Sequence, residues 1–214
     1  RTVTVPIGPV HDAGYWLNSP LDDKHLDWNY QGNWIEGYQQ SVNHPHRQLI
    51  LNELVKLSFT SLLELGCSCG PNLSLIQKKY PNIRLVGIDI EPRSVELAKD
   101  NLRIQVEVGN ITKLPFDTQS FDVILADAVL MYLNPDEIKL VLDEIDRVAR
   151  KTVIIVDRFD ESLKGVRNGD IWARNYEILF EARGWNIEIE KIKVKEWPKS
   201  LGWQKLGYIW VATK

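Results

Sequence analysis

Cysteine is scarce in this chain. The 214 residues hold two, Cys67 and Cys69. They are one residue apart, too close for ordinary disulfide geometry and too few for a four-ligand zinc site. That usage fits a reducing compartment. There is no apolar run of about 18 residues and no charged-then-apolar leader, so neither a membrane span nor a secretory signal is expected, and the expected location is the cytoplasm. An excess of positive charge is also missing: 26 Lys and Arg against 29 Asp and Glu give a formal net charge of -3. Without a clustered basic footprint, nucleic acid is a disfavoured partner. Internal repeats, low-complexity tracts and clear linkers are absent as well.

What is present is ordinary for a globular domain. Apolar residues make up 44% and charged residues 26% of the chain, too apolar a mixture for disorder. The length is enough to bury one full core.

From Leu62 onward, short β-branched or Leu-rich runs alternate with amphipathic helical stretches, as when crossover helices cover a parallel sheet. The strand candidates are 62–65, 84–89, 105–108, 122–126 and 152–156. Pro71, Pro92 and Pro135 each fall where a first helical turn begins, a position at which the missing N–H is not needed. Asn134 is a good N-cap there, with Asp136 and Glu137 in the favoured first turn. In the last quarter, 185–194 and 206–212 are strand-like with no helix expected between them, which implies an antiparallel pair. Ile187 and Ile189 share one face while Ile192 and Val194 have the other parity, so a β-bulge near Glu190 or Lys191 is expected. Lys191, Lys193 and Lys195 are expected to form a solvated, edge-protecting face.

The first 60 residues contain all four histidines, His11, His25, His44 and His46, along with Trp16, Trp28 and Trp34. Residues 1–45 read as an aromatic cap, either a lid or a cover for a core, and 46–214 as the main domain. Pro45 is placed to open a helix from His46 to Leu57.

The densest chemical signal is Glu64-Leu-Gly66-Cys67-Ser68-Cys69-Gly70-Pro71, where a buried strand turns into a helix. Backbone that crowds a ligand requires glycine, because a Cβ clashes or forbids positive φ. The helix start that follows offers unpaired N–H groups to an anionic or oxygen-rich ligand. Asp89, 23 positions after Gly66, ends a second strand where Rossmann-type sheets hold the hydroxyls of a nucleoside ribose.

These residues resemble the class I S-adenosylmethionine-dependent methyltransferase family over roughly Arg47 to the C-terminus. Glu64, Gly66 and Gly70 match its first motif, with Ser68 in place of the middle glycine and Cys67 inside the loop. Val86-Gly-Ile-Asp89-Ile90-Glu91-Pro resembles its second motif, which makes Asp89 the ribose acceptor and Ile90 a wall of the adenine slot. Val108-Gly-Asn110-Ile111 is similar to the third, where an amide oxygen at Asn110 can accept from the adenine amino group. The segment 120–133, with Asp127, Ala128 and Tyr132, resembles the fourth, whose strand end faces the transferred methyl. The resemblance implies an α/β, Rossmann-like three-layer sandwich with a mostly parallel seven-stranded sheet and a C-terminal antiparallel hairpin. It implies S-adenosylmethionine as cofactor, S-adenosylhomocysteine as product and a methyltransferase activity.

Arg47 has two readings, a partner for the cofactor carboxylate or an exposed helical arginine. Tyr38 is a candidate for the cationic cofactor centre. Tyr132, Asp127, His46 and His44 are candidates for contacting the acceptor. Asp127 and Asp157 end neighbouring strands where catechol-type relatives hold Mg²⁺, but Arg158 opposes a cation, so no metal is expected. A nicotinamide enzyme is disfavoured because Ser68 and Pro71 break the Gly-x-Gly-x-x-Gly fingerprint. A silent nucleoside-binding module stays open. Compact size and mild acidity favour a small-molecule acceptor over a protein or carbohydrate-linked one. O-, N- and C-methylation, and monomer and homodimer, stay equally open.

Overall fold

In the computed structural model the described residues are 37, 39–161, 165–168, 171–198 and 200–214. Most of the expected cap, residues 1–36 with its tryptophans, and Tyr38 lie outside them. A 3-10 turn at Ser41–Asn43 leads into helix α1, His46–Val55, which Pro45 precedes as expected. Then follow β1 (Ser61–Leu65), α2 (Pro71–Lys79), β2 (Arg84–Asp89), α3 (Pro92–Asn101), β3 (Gln105–Val108) and β4 (Phe121–Asp127). A second 3-10 turn, Leu130–Tyr132, precedes α4 (Glu137–Val148) and β5 (Ala149–Arg158). The chain ends with β6 (Val166–Asn168), β7 (Ile171–Ala173), α5 (Tyr176–Glu181), β8 (Asn186–Lys191), α6 (Leu201–Leu206) and β9 (Gly207–Thr213).

Seven strands form one sheet in the order β3-β2-β1-β4-β5-β9-β8, with β6 and β7 paired apart from it. The first five run parallel, and β9 pairs antiparallel with both β5 and β8. This is the Rossmann-like three-layer arrangement expected from the resemblance.

Alternating side chains on each strand divide the core in two. Leu63, Leu65, Ile124, Ala126, Val153, Ile155 and Trp210 pack with α4 and α5 on one face. Leu62, Val123, Leu125, Ile154, Val156 and Ile209 pack with α1, α2 and α3 on the other. Helix α4 shows why it docks, since Ile138, Val141, Leu142 and Ile145 recur at helical spacing and are all buried. Its start is a capping box. Asn134 Oδ1 accepts from Asp136 N at 2.9 Å and Glu137 N at 3.0 Å, while Glu137 Oε2 accepts from Asn134 N at 2.9 Å.

Two expectations for the last quarter are corrected. No bulge occurs in β8, whose register with β9 runs unbroken from Asn186–Thr213 to Lys191–Tyr208. Both faces of this sheet are covered, so Ile187 can serve one core layer and Ile192, just past the strand end, the other. A change of parity therefore needs no repair. Helix α6 also intervenes between the two strands, where none was expected; it buries Trp203 against the second layer. The β6–β7 ribbon was not anticipated either. Lys191, Lys193 and Lys195 are exposed, Lys191 on the edge strand and the other two just beyond it. Among the described residues no helix is long and apolar enough to cross a membrane.

Candidate active site

The carboxyl ends of β1, β2 and β4 converge, because parallel neighbours in a sheet all point the same way. Between β1 and α2 the chain takes three left-handed conformations, Gly66 (φ +66°), Ser68 (φ +49°) and Gly70 (φ +79°). Gly66 is confined: a Cβ there would lie 2.4 Å from Val129 Cγ2, and its N–H donates to Ile88 O at 2.8 Å. Ser68, which stands where the family has glycine, keeps the turn at a cost of about 1–2 kcal/mol for a left-handed residue with a Cβ. Its N–H donates to Asp89 Oδ2 at 2.7 Å, which offsets part of that cost.

Asp89 thus joins the ends of β1 and β2, its other oxygen accepting from Glu91 N at 2.9 Å. Burial raises its carboxyl above the ordinary range, against the pull of those backbone donors. Ile90 beside it is half-buried, and Ile111 is buried. Asn110 is exposed, and its amide oxygen already accepts from Thr112 N and Thr112 Oγ1, both at 2.9 Å. Two donors use both lone pairs of that oxygen, so the adenine role expected of Asn110 requires this Asx turn to open.

At the end of β4 lies a dense polar network. Asp127 Oδ2 accepts from His46 Nε2 at 2.9 Å, Asn72 Nδ2 at 2.9 Å and Arg47 Nη1 at 3.1 Å. Asn72 bridges onward: its Nδ2 donates to Glu64 Oε1 at 2.7 Å, and its Oδ1 accepts from Arg47 Nη1 at 2.6 Å. Arg47 is 3% exposed, which removes the reading of it as a surface arginine. Its remaining donors go to Ser41, Nε to the carbonyl at 3.0 Å and Nη2 to the hydroxyl at 2.8 Å. The arginine therefore ties the 3-10 turn before α1 to the strand end.

The charges follow from these neighbours. Burial opposes ionisation of Asp127, yet His46, Arg47 and Asn72 outweigh it and hold the carboxyl well below its usual range. Burial lowers His46 despite Asp127 beside it, and lowers His44 to about 4. His46 is then neutral near pH 7, with Nε2–H on Asp127. Its Nδ1 lies 2.5 Å from His44 Nδ1, a spacing that admits one shared proton. Glu64 behaves oppositely to Asp127: burial pushes it to about 8, since only Asn72 donates to it. Burial also raises both thiols, Cys69 to about 11, so they act as packing groups rather than nucleophiles.

A cleft of about 330 Å³, partly open to solvent, lies against this network. Among the residues expected at a site, His46, Arg47, Glu64, Gly66, Cys67, Ser68, Asp127 and Ala128 line it; Pro71, Asn72 and Trp197 join them. Gly70, Asp89, Ile90, Asn110, Ile111 and Tyr132 do not line it. Tyr132 is half-buried in the 3-10 turn beyond Ala128. Asp157 is turned away, with Oδ2 accepting from Tyr176 Oη at 2.9 Å.

Asn72 and Trp197 were missed by sequence reasoning. Asn72 had one available signal, an amide at the second position of a helix whose first turn follows a glycine loop. Trp197 had none. It arrives from the β8–α6 connection, stacks on Trp203 at 3.9 Å and lies 4.2 Å from the His46 ring.

Three buried atoms in the cleft wall have no hydrogen-bond partner among the described residues: Glu64 Oε2, Asp127 Oδ1 and Ser68 Oγ. Buried polar atoms are nearly always paired, so a cluster of three at one cleft fits a polar ligand there. Two carboxyl oxygens suit a cationic group, and Ser68 Oγ a polar one, as S-adenosylmethionine would supply.

Comparison with known proteins agrees with this geometry. Residues 62–152 match the family model described as a methyltransferase domain. The type II methyltransferase M.CvrRI of Paramecium bursaria Chlorella virus XZ-6E is 34% identical over 82 residues, 38% of this chain and 21% of that protein. Malonyl-[acyl-carrier protein] O-methyltransferase of Herminiimonas arsenicoxydans is 29% identical over 116 residues, 54% of this chain and 42% of the relative. The chain thus spans less than half the length of these curated relatives. Among solved structures, magnesium protoporphyrin IX methyltransferase from Synechocystis PCC 6803 with bound S-adenosylhomocysteine superimposes with a TM-score of 0.68 at 13% identity. That match covers 94% of this chain and 97% of the other. The motif order, the sheet topology and these matches together give the chain the Rossmann-like fold of the class I S-adenosylmethionine-dependent methyltransferases, with the methyltransferase domain matched over residues 62–152.

Proposed function

We propose that this chain transfers a methyl group from S-adenosylmethionine to a small-molecule acceptor. The observation that carries the reading is the cleft at the ends of β1 and β4, whose glycine loop and three buried oxygens without a partner among the described residues fit a polar nucleoside ligand. Asp89 would hold the ribose hydroxyls, with Ile90 and Ile111 against the base; Gly66 to Ser68, Glu64 and Asp127 would hold the amino-acid arm. When bound, the cofactor supplies an activated methyl on a sulfonium that leaves as a neutral thioether.

The protein's own task is alignment and exclusion of water. Arg47 and Asn72 fix the Asp127 carboxylate so that Oδ1 keeps one orientation. His46 bonds that carboxylate, and Trp197 packs 4.2 Å from the His46 ring. Held ionised by three donors, Asp127 is a poor proton acceptor and serves as a fixed negative charge. The residues proposed to contact a protic acceptor are His46, whose ring nitrogens face Asp127 and His44, and Tyr132 at the next turn.

The names of relatives and neighbours span a carrier-protein-linked acceptor and a small one. They include a malonyl-[acyl-carrier protein] O-methyltransferase and, for a structural neighbour from Haemonchus contortus with a TM-score of 0.61, a phosphoethanolamine N-methyltransferase. Calorimetry tests the cofactor half. S-adenosylhomocysteine should bind wild-type protein, and Asp89→Ala should weaken it about tenfold or more, one lost charge-assisted hydrogen bond being about 1.5–3 kcal/mol. No heat of binding for the wild type sinks the proposal. For the acceptor half, an extract supplied with methyl-labelled cofactor should gain label in its low-mass fraction; label in protein alone would favour a macromolecular acceptor.

A further inference from the structure

The cleft wall contains two buried carboxyl groups but cannot neutralise both. Asn72 Nδ2 lies between them, 2.7 Å from Glu64 Oε1 and 2.9 Å from Asp127 Oδ2. The cation of the network, Arg47, pairs with Asp127 at 3.1 Å and also donates to Asn72 Oδ1 and to Ser41. Glu64 is 2% exposed and, among the described residues, forms no ion pair; its Oε2 has no donor. The groups that face it are Asn72 on α2, Asp127 on β4, Arg47 on α1 and Asp89 on β2. Two of these are acidic, and Arg47 is already paired.

We propose that Glu64 is a proton-exchanging counter-ion: neutral until a ligand brings a positive charge beside it, and ionised thereafter, so that uptake of the cofactor or its product releases one proton. This rests on the function proposed above. The step balances simply. The Glu64 carboxyl and a ligand ammonium become a carboxylate–ammonium pair, and the carboxyl proton passes to solvent. A buried carboxylate without a counter-charge is strongly disfavoured, whereas one paired and hydrogen-bonded is tolerated. Asp127 differs because its counter-charge is built in.

Burial pushes Glu64 to about 8 in the ligand-free protein. A group protonated before binding and ionised after it makes affinity rise with pH below that value. The cleft also becomes selective, favouring nucleosides with an ammonium arm over neutral ones.

The test is titration calorimetry with S-adenosylhomocysteine in buffers of small and large ionisation enthalpy. Between about pH 6 and 7.5, wild-type protein should release about one proton per ligand, with Kd tightening up to tenfold per pH unit. Glu64→Gln should bind about tenfold more weakly at the upper end of that range, with no proton release and a flat pH profile. Adenosine, which lacks the amino-acid arm, should bind wild type without releasing a proton. A second readout needs no variant. The infrared carbonyl band of a protonated carboxyl should disappear when S-adenosylhomocysteine is added to wild-type protein. Uptake without proton release, or release that persists unchanged in Glu64→Gln, overturns this inference alone. A lack of any uptake overturns the proposed function and this inference with it.

Discussion

Two buried aspartates on strand β4, five residues apart, have opposite kinds of surroundings. Asp122, near the amino end, accepts from Thr60 N and Thr60 Oγ1 on one oxygen, and pairs with Arg150 at 3.0 Å and Lys151 at 3.3 Å on the other. Asp127, at the carboxyl end, has three donors on one oxygen and none on the other. Both are held ionised, yet only one is complete within the protein. The difference separates a fastening from a site: a saturated carboxylate holds the fold together, while an open one keeps capacity for a ligand.

The largest effect should come from Asp127→Ala. It strands a buried arginine and removes the open oxygen together, so stability should fall by about 3 kcal/mol and S-adenosylhomocysteine affinity by about a hundredfold. Urea unfolding and calorimetry read the two losses. Asp127→Asn, which keeps the shape, should recover much of the stability and little of the affinity. Asp122→Ala is the counterpart. Arg150 and Lys151 are about half exposed, so water can replace their partner, and a stability loss of about 2 kcal/mol is expected. Ligand affinity should stay within about twofold; a larger change would erase the distinction between the two ends.

A pH titration sharpens the contrast further. Burial raises Glu64 to about 8 and Asp157 to about 7. Groups whose folded pKa is raised bind more protons in the native state than in the unfolded one, so the contribution of these two to stability falls as pH climbs from about 5 to 8. Asp122, lowered to about 2 with burial opposed by Thr60 and Lys151, acts on the other side. Its contribution is present above the ordinary carboxyl range and lost as pH falls toward 2. Asp157→Asn should flatten the alkaline slope, by about 5 °C of Tm across that window. The smallest effect is expected of Asn110→Ala, which removes an exposed Asx turn at about 0.5–1 kcal/mol. If ligand affinity then falls more than tenfold, Asn110 meets the base after all.

Much of the sheet could be read from the chain because its buried strands are apolar runs, and β1, β2 and β3 are each followed by a glycine or proline turn. Pro71 and Pro92 do begin α2 and α3. The terminal hairpin was legible in outline but not in detail. An apolar residue of either parity finds a core layer in a sheet covered on both faces, so the parity of Ile187 and Ile192 could not reveal the register. Helix α6 is six residues long, too short for periodicity to announce it. At the site, the glycine loop, Asp89 and Asp127 stood at strand ends and could be named. The arginine-centred network could not. Ser41, Arg47, Asn72, Glu64 and Asp127 come from four elements and a turn, and nothing local pairs them.

The sequence by itself determined the order of strands and helices, the left-handed loop after β1 and the acidic groups at the strand ends, because these depend on neighbours a few residues away. Only the tertiary structure decided which carboxyl is charged. Asp127 is held ionised and Glu64 is raised because His46 and the Arg47 guanidinium outweigh burial at the first, and burial prevails at the second. That choice depends on distances between side chains up to 80 positions apart along the chain.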